Sequence, residues 1–224
     1  MTKRVSRPGV RDGYDRWAST YDTTTNALIA LDRRHTMRCL DARPGEHILD
    51  AGCGTGGHVE TLLRAGSRPV GLDVSRGMLR VARRKHPSVP LVQADLGATF
   101  PARDGVFDAV LCALVGEHLE NLSLLFREMH RSLARGGRLV FSVFHPDVAA
   151  VGVEANFADG DTEVRLGAIR HGIDDYLGAA DDAGFDDVAT RVHPGDAALV
   201  AEVPTATKYL DRPLLLVATA RKAA

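Results

Sequence analysis

The stretch His47-Ile-Leu-Asp-Ala-Gly-Cys-Gly-Thr-Gly-Gly57 decides how the rest of the chain is read. Residues 47–51 are a short apolar run of strand character. They empty into a turn with glycines at 52, 54, 56 and 57, and a helical pattern follows. Glycines at such a place let the chain turn tightly and let backbone approach a ligand that side chains would exclude. A second apolar run, Val70-Gly-Leu-Asp73, then ends on an acid. A carboxylate at that strand end accepts hydrogen bonds from both hydroxyls of a ribose. Strand, glycine turn, helix, strand and acid together open a doubly wound α/β sheet.

Outward from that core, apolar runs alternate with helical patterns, which predicts a mostly parallel sheet. Strands are expected at 47–51, 69–73, 90–94, 106–113, 137–144, 185–193 and 214–220, with helices at 56–65, 75–85, 119–133 and 173–183. Leu122, Leu125, Phe126, Met129 and Leu133 form one apolar helix face. Residues 11–42 precede the first strand and read as helices rich in Tyr, Trp and Leu. Residues 146–172 show weak periodicity and several glycines. Loops at the carboxyl ends of strands form the ligand crevice of such a sheet. The expectation is one domain over 1–224, with 11–42 as a helical lid and 146–172 as a substrate lid.

Composition narrows the function. The chain has 224 residues, 45% of them hydrophobic, enough for one sizeable core. Its formal net charge of −1 and pI near 6.8 give no electrostatic reason to expect nucleic acid or an anionic membrane as partner. Cys39, Cys53 and Cys112 have no framework spacing and read as reduced thiols of a cytoplasmic protein. The first ten residues carry charge with no apolar run behind it, so no signal peptide is read there. The nine histidines are dispersed, with no His-x-x-x-His or Cys-x-x-Cys spacing, so no metal is expected.

Two ligands compete for the glycine loop. Gly52, Gly54 and Gly57 satisfy the Gly-x-Gly-x-x-Gly dinucleotide fingerprint. Asp50 argues the other way: a carboxylate two residues before the first glycine repels a pyrophosphate but suits a cationic, amino-acid-bearing sulfonium ligand. Gln93-Ala-Asp95 adds an acid placed to accept from an adenine amino group, and Phe107-Asp-Ala-Val-Leu111 gives a fourth strand opened by an acid.

With those segments in view, the sequence resembles the class I S-adenosylmethionine-dependent methyltransferases, in particular the small ubiquinone/menaquinone-biosynthesis type. The resemblance runs from about Tyr14 to Lys222. It is carried by Tyr14-Asp-Arg-Trp-Ala-Ser-Thr-Tyr-Asp22, Leu49-Asp-Ala-Gly-Cys-Gly-Thr-Gly56, Gly71-Leu-Asp73, Gln93-Ala-Asp95, Phe107-Asp108 and Leu133-Ala-Arg-Gly-Gly-Arg-Leu139. It implies a Rossmann-like seven-stranded sheet whose antiparallel last strand, here 212–220, inserts between the fifth and sixth.

Asp50 and Gly56 are candidates for binding the cofactor; the same resemblance implies that Gly52 and Gly54 pack under its methionine part and that Asp73 binds its ribose. Val74 and Met78 would lie beside it, Asp95 and Leu96 would hold the adenine, and Ala113 would lie near the sulfonium. Tyr14 and Tyr21 would close over it, although their spacing also suits a helix simply docked on a core. The implied activity is methyl transfer to a small-molecule acceptor, a metabolite or natural product. The alternative is a protein that keeps the cofactor site but catalyses a cyclisation or isomerisation. His118 beside Glu117, His145 in Phe141-Ser-Val-Phe-His-Pro146, and His171 in the second lid are the candidate catalytic groups. A sulfonium methyl is already activated, so a base is needed only where the acceptor must lose a proton.

Overall fold

The computed structural model describes residues 4–23, 25–150 and 152–224; residues 1–3, 24 and 151 lie outside the described residues, so the charged start and the 146–172 segment are each described only in part. A three-residue strand, β1 (Arg4–Ser6), is followed by helices α1 (Val10–Trp17) and α2 (Ala27–Leu40). The sheet then builds by alternation: β2 (His47–Ala51), α3 (Val59–Arg64), β3 (Arg68–Asp73), α4 (Arg76–Lys85), β4 (Leu91–Gln93), β5 (Phe107–Ala113), α5 (Leu122–Ser132) and β6 (Leu133–Phe144). After a short helix α6 (Pro146–Ala150) comes a hairpin of β7 (Asn156–Asp159) and β8 (Thr162–Arg165). The chain then runs through α7 (Ile173–Asp182), β9 (Phe185–Pro194), α8 (Ala197–Glu202) and β10 (Pro213–Lys222).

The large sheet has seven strands in the order β4-β3-β2-β5-β6-β10-β9. Its first five strands are parallel, and β10 runs antiparallel to both neighbours, with Leu216 opposite Val143 on one side and Val192 on the other. This is the Rossmann-like α/β architecture expected from the sequence. Its core lies on both faces, because side chains of a strand alternate. In β5, Val110 and Cys112 join the face covered by α5 and α7 with Phe126, Phe141 and Met129. Ala109 and Leu111 join the opposite face with Leu31, Val140 and Leu215.

Two helices start later than their apolar pattern suggested. The helix expected from residue 56 begins at Val59, because Gly52, Gly54 and Gly56 all have positive φ (87°, 52° and 78°) and cannot be helical there. The helix expected from 119 begins at Leu122, where the Asn121 side chain accepts from the Leu124 amide at 2.9 Å and caps it.

The segment of weak periodicity holds a feature that the sequence reading did not assign. The β7–β8 hairpin pairs with β1 as a separate three-stranded sheet, β1-β8-β7, with β1 parallel to β8. Strands of three or four residues are too short to print an alternation on the sequence. Phe157, Val164 and Leu166 of this region pack with Trp17 of α1 and Met78 of α4. Trp17 stacks on Phe157 at 4.8 Å and meets Tyr21 edge-on at 4.9 Å. The three cysteines form no disulfide; Cys53 and Cys112 are buried and Cys39 is exposed. No helix among the described residues is long and apolar enough to cross a membrane.

Candidate active site

A cavity of about 420 Å³ opens at the carboxyl ends of β2, β3 and β5, within the size range of small-molecule sites. The glycine loop forms one wall. Gly52 needs to be glycine twice over: its φ is 87°, and a Cβ there would run into the Val115 side chain. Asp73 ends β3 half-buried in the cavity wall. One of its carboxylate oxygens accepts from the Gly54 amide and the other from the Ser75 amide, both at 2.8 Å. The acid therefore fixes the glycine loop and the start of α4 while leaving lone pairs toward the cavity. Burial raises its pKa, against the pull of those amides.

The amino-terminal segment covers the opening and is tied down at three places. Asp15 accepts from the Ser75 hydroxyl at 2.7 Å and the Gly77 amide at 2.6 Å. Asp22 accepts from the Thr55 hydroxyl at 2.9 Å and the Lys85 ammonium at 2.6 Å. The Tyr14 hydroxyl lies 2.9 Å from His118 Nε2. Burial pushes the Tyr14 and Tyr21 phenols up, so both stay protonated.

Of the residues picked from sequence, Tyr14, Tyr21, Gly52, Gly54, Asp73, Val74, Met78, Asp95, Leu96, Ala113 and His118 line this one cavity. Gly56 does not: its carbonyl accepts from His86, and it packs against α4. Asp50 lies beneath the floor, 1% exposed, with Oδ2 unpartnered among the described residues and its pKa pushed up to about 6 by burial.

The three histidines separate. His118 lines the cavity, and burial pushes its pKa down to about 4, so the ring is neutral at neutral pH. His145 does not line it: its ring accepts from the Asp147 amide at 3.3 Å, so it caps the start of α6, and its own amide bonds Leu214. His171 does not line it either. Its Nε2 meets the Leu119 carbonyl at 2.8 Å and its ring meets Tyr176 edge-on, pinning residues 169–171 to the loop after β5. The placement of His145 after the fifth strand and of His171 in the second lid segment was legible, but their side-chain directions were not.

Among the lining residues not picked from sequence are Asp32 and Arg33 of α2, His58 after the last loop glycine, and Arg11. Asp32 and His58 stand 26 positions apart and meet only in the fold, so no local spacing marks them.

Glu117 is 4% exposed, with Oε2 unpartnered among the described residues, and burial pushes its pKa up to about 7. An acid whose folded pKa is raised costs nothing below the ordinary carboxylate range, where both states are protonated. The cost grows with pH up to about 7 and is full above it. Glu117→Gln should therefore be more thermostable than the parent at pH 8, with the gain gone at pH 4; paired melting curves at the two pH values check this. An equal gain at both would show that ionisation of Glu117 plays no part.

The residues fit S-adenosylmethionine better than a dinucleotide. Asp73 suits the ribose of either ligand, but Asp50, next to the glycine loop with a buried unpartnered carboxylate oxygen among the described residues, disfavours a pyrophosphate and suits a cationic ligand.

A family model for the methyltransferase domain matches residues 49–141, which span the glycine loop, Asp73, Asp95 and His118. Over 139 residues the chain is 36% identical to the demethylmenaquinone methyltransferase of Streptomyces avermitilis, a match that covers 59% of each chain. The match thus spans less than two thirds of that relative's length. In structure, the chain is similar to an S-adenosylmethionine-dependent methyltransferase from Mesorhizobium loti, with TM-score 0.72, 24% identity, and 88% of this chain and 98% of that one covered. It is also similar to the 4+2-cyclase SpnF, with TM-score 0.72, 18% identity and both chains fully covered. The Rossmann-like fold is the one that these two solved structures share.

Proposed function

We propose that this protein transfers the methyl group of S-adenosylmethionine to a small-molecule acceptor. The observation that carries this reading is the Asp73 carboxylate in the cavity wall, bonded to the glycine loop at Gly54 and open to a ribose. The methyltransferase-domain match over the same residues supports it. When bound, S-adenosylmethionine supplies a methyl group that passes to the acceptor's lone pair as its carbon–sulfur bond breaks, leaving S-adenosylhomocysteine.

The chain's own residues bind, align and exclude water. Asp73 takes the ribose hydroxyls, and Asp95 with the backbone of Leu96 holds the adenine. Gly52 and Gly54 admit the amino-acid end at close range, and Val74, Met78 and Ala113 complete the wall. Tyr14 and Tyr21, strapped down through Asp15 and Asp22, close the site. Alignment of this kind is worth roughly 7–11 kcal/mol of barrier. His118 is neutral, and its Nε2 lies 2.9 Å from the Tyr14 hydroxyl; an acceptor that displaces this hydroxyl gives its hydrogen to Nε2, which orients its lone pair. His145 and His171 hold the surrounding loops.

A small acceptor is favoured because the cavity is closed over by α1 and carries acids at Asp12, Asp32, Asp73 and Asp95 among its lining, which disfavour a nucleic-acid backbone. A cytoplasmic, membrane-free setting agrees with the balanced charge and the cysteine usage.

Calorimetric titration with S-adenosylmethionine, S-adenosylhomocysteine and reduced nicotinamide cofactors tests the reading. Saturable binding of the two sulfur compounds alone is the expected result, and binding of the nicotinamides alone would overturn it. In an acceptor screen, turnover without S-adenosylhomocysteine would instead favour a cyclisation or isomerisation.

A further inference from the structure

We propose that Arg33 and His58 clamp the carboxylate at the amino-acid end of the cofactor, with Asp32 and Ser142 positioning the imidazole. This rests on the S-adenosylmethionine reading above and assigns the end of the cavity that Asp73 and Asp95 do not reach. The sheet order separates the two ends: Asp73 and Asp95 follow β3 and β4 on one side of β2, while Ser142 belongs to β6 on the other. Asp32 reaches across from α2 to Ser142, whose hydroxyl donates to its Oδ1 at 2.5 Å. Its Oδ2 takes His58 Nε2 at 3.0 Å. Asp32 is 1% exposed, and a carboxylate so deeply buried is costly without a charged partner. The His58 ring is the partner within reach, and when protonated it answers that charge.

The charged groups facing His58 are Asp32 and Arg33 from α2 and Asp50 from β2. Burial and Arg33 work against protonation of the ring. The hydrogen bond from Asp32 and the charges of Asp32 and Asp50 outweigh them and raise its pKa. With Nε2 committed to Asp32, the other ring nitrogen has no partner among the described residues, on a ring that lines the cavity. Arg33 lines the same cavity and likewise has no hydrogen bond or ion pair among the described residues. Its guanidinium lies against Gly57, immediately before His58, where any Cβ would collide with it. A guanidinium and an imidazole held ready for protonation thus flank one corner of the site, the arrangement that recognises a carboxylate. Asp50 and Asp32 beside them disfavour a phosphate there and suit a zwitterion, whose ammonium offsets them.

The test is calorimetry on the full chain with two probes, S-adenosylhomocysteine and its decarboxylated analogue, which keeps the amine and lacks the carboxylate. His58→Gln should weaken S-adenosylhomocysteine roughly tenfold to a hundredfold, as expected for a charge-assisted contact, and leave the analogue unchanged. Arg33→Gln, at an exposed position that tolerates substitution, should show the same selectivity with a smaller loss, and it keeps the test decisive should His58→Gln fail to fold. In the parent, affinity for S-adenosylhomocysteine should fall as pH rises through the raised His58 pKa. Asp32→Asn should move that fall to lower pH, which a merely structural role would not do. Equal losses for both probes in the two variants, or unchanged S-adenosylhomocysteine affinity in both, would overturn the clamp. Failure of the parent to bind either probe would overturn the cofactor reading itself, and the clamp with it.

Discussion

Replacing His118 by alanine should lower kcat by about 10²-fold or more while leaving the affinity for S-adenosylhomocysteine within a few-fold of the parent. A positioned acid or base contributes 10²–10⁴-fold. His118 is expected at the lower end of that range, because an imidazole pushed down to about 4 holds a proton weakly and acts chiefly by accepting a hydrogen bond. The same shift fixes the pH behaviour. The ring is neutral from pH 5 upward, so rate should be flat between pH 6 and 8 as far as this group is concerned. Tyr14→Phe removes the hydroxyl that meets Nε2 at 2.9 Å and should reduce the rate less, since the phenol is exchanged for the acceptor rather than taking part in the transfer. His171→Ala is the control: its Nε2 is spent on the Leu119 carbonyl, outside the cavity lining, so the rate of the folded variant should stay near that of the parent. An unchanged kcat in His118→Ala would remove the imidazole from the mechanism and leave alignment alone to account for the rate.

The contrast between His118 and the other two histidines marks how far sequence reasoning reached. The β2–loop–β3 unit was legible because its signals are local: glycines that must adopt positive φ, an apolar run on each side, and an acid at a strand end. The seven-strand order was legible through the resemblance, and the alternation of β5 and β10 agrees with burial on both faces. The second sheet was not, because β1, β7 and β8 are each three or four residues long and are held by Trp17 stacking on Phe157 rather than by a pattern of their own. Asp32, Arg33 and His58 were missed for a related reason. Their meaning comes from a contact between α2 and the glycine loop, and a helix face that carries Asp32 inward looks in sequence like any charged helix face.

Asp73→Ala should cost more than any other single change in the cofactor wall, because one carboxylate does two jobs. Its two oxygens accept the Gly54 and Ser75 amides at 2.8 Å, and the proposed ribose contacts use what remains. Loss of the ribose contacts alone lowers affinity roughly tenfold to a hundredfold, at about 1.5–3 kcal/mol for charge-assisted bonds. The freed amides add to this by loosening Gly54, which sits at φ 52° and is held in place by this acceptor. Calorimetry should therefore report at least a tenfold weaker S-adenosylmethionine complex, together with a lower melting temperature for the unliganded protein. Asp73→Asn separates the two jobs. Its amide oxygen still accepts one backbone N–H, so melting should recover in part, while the ribose site has lost its charge and affinity should stay low. If Asp73→Ala melts earlier but binds as tightly as the parent, the acid only braces the loop, and the nucleoside must be held elsewhere in the cavity. If both variants lose affinity while Asn alone recovers stability, the carboxylate itself is the ribose contact, and the glycine loop is the element it was built to hold.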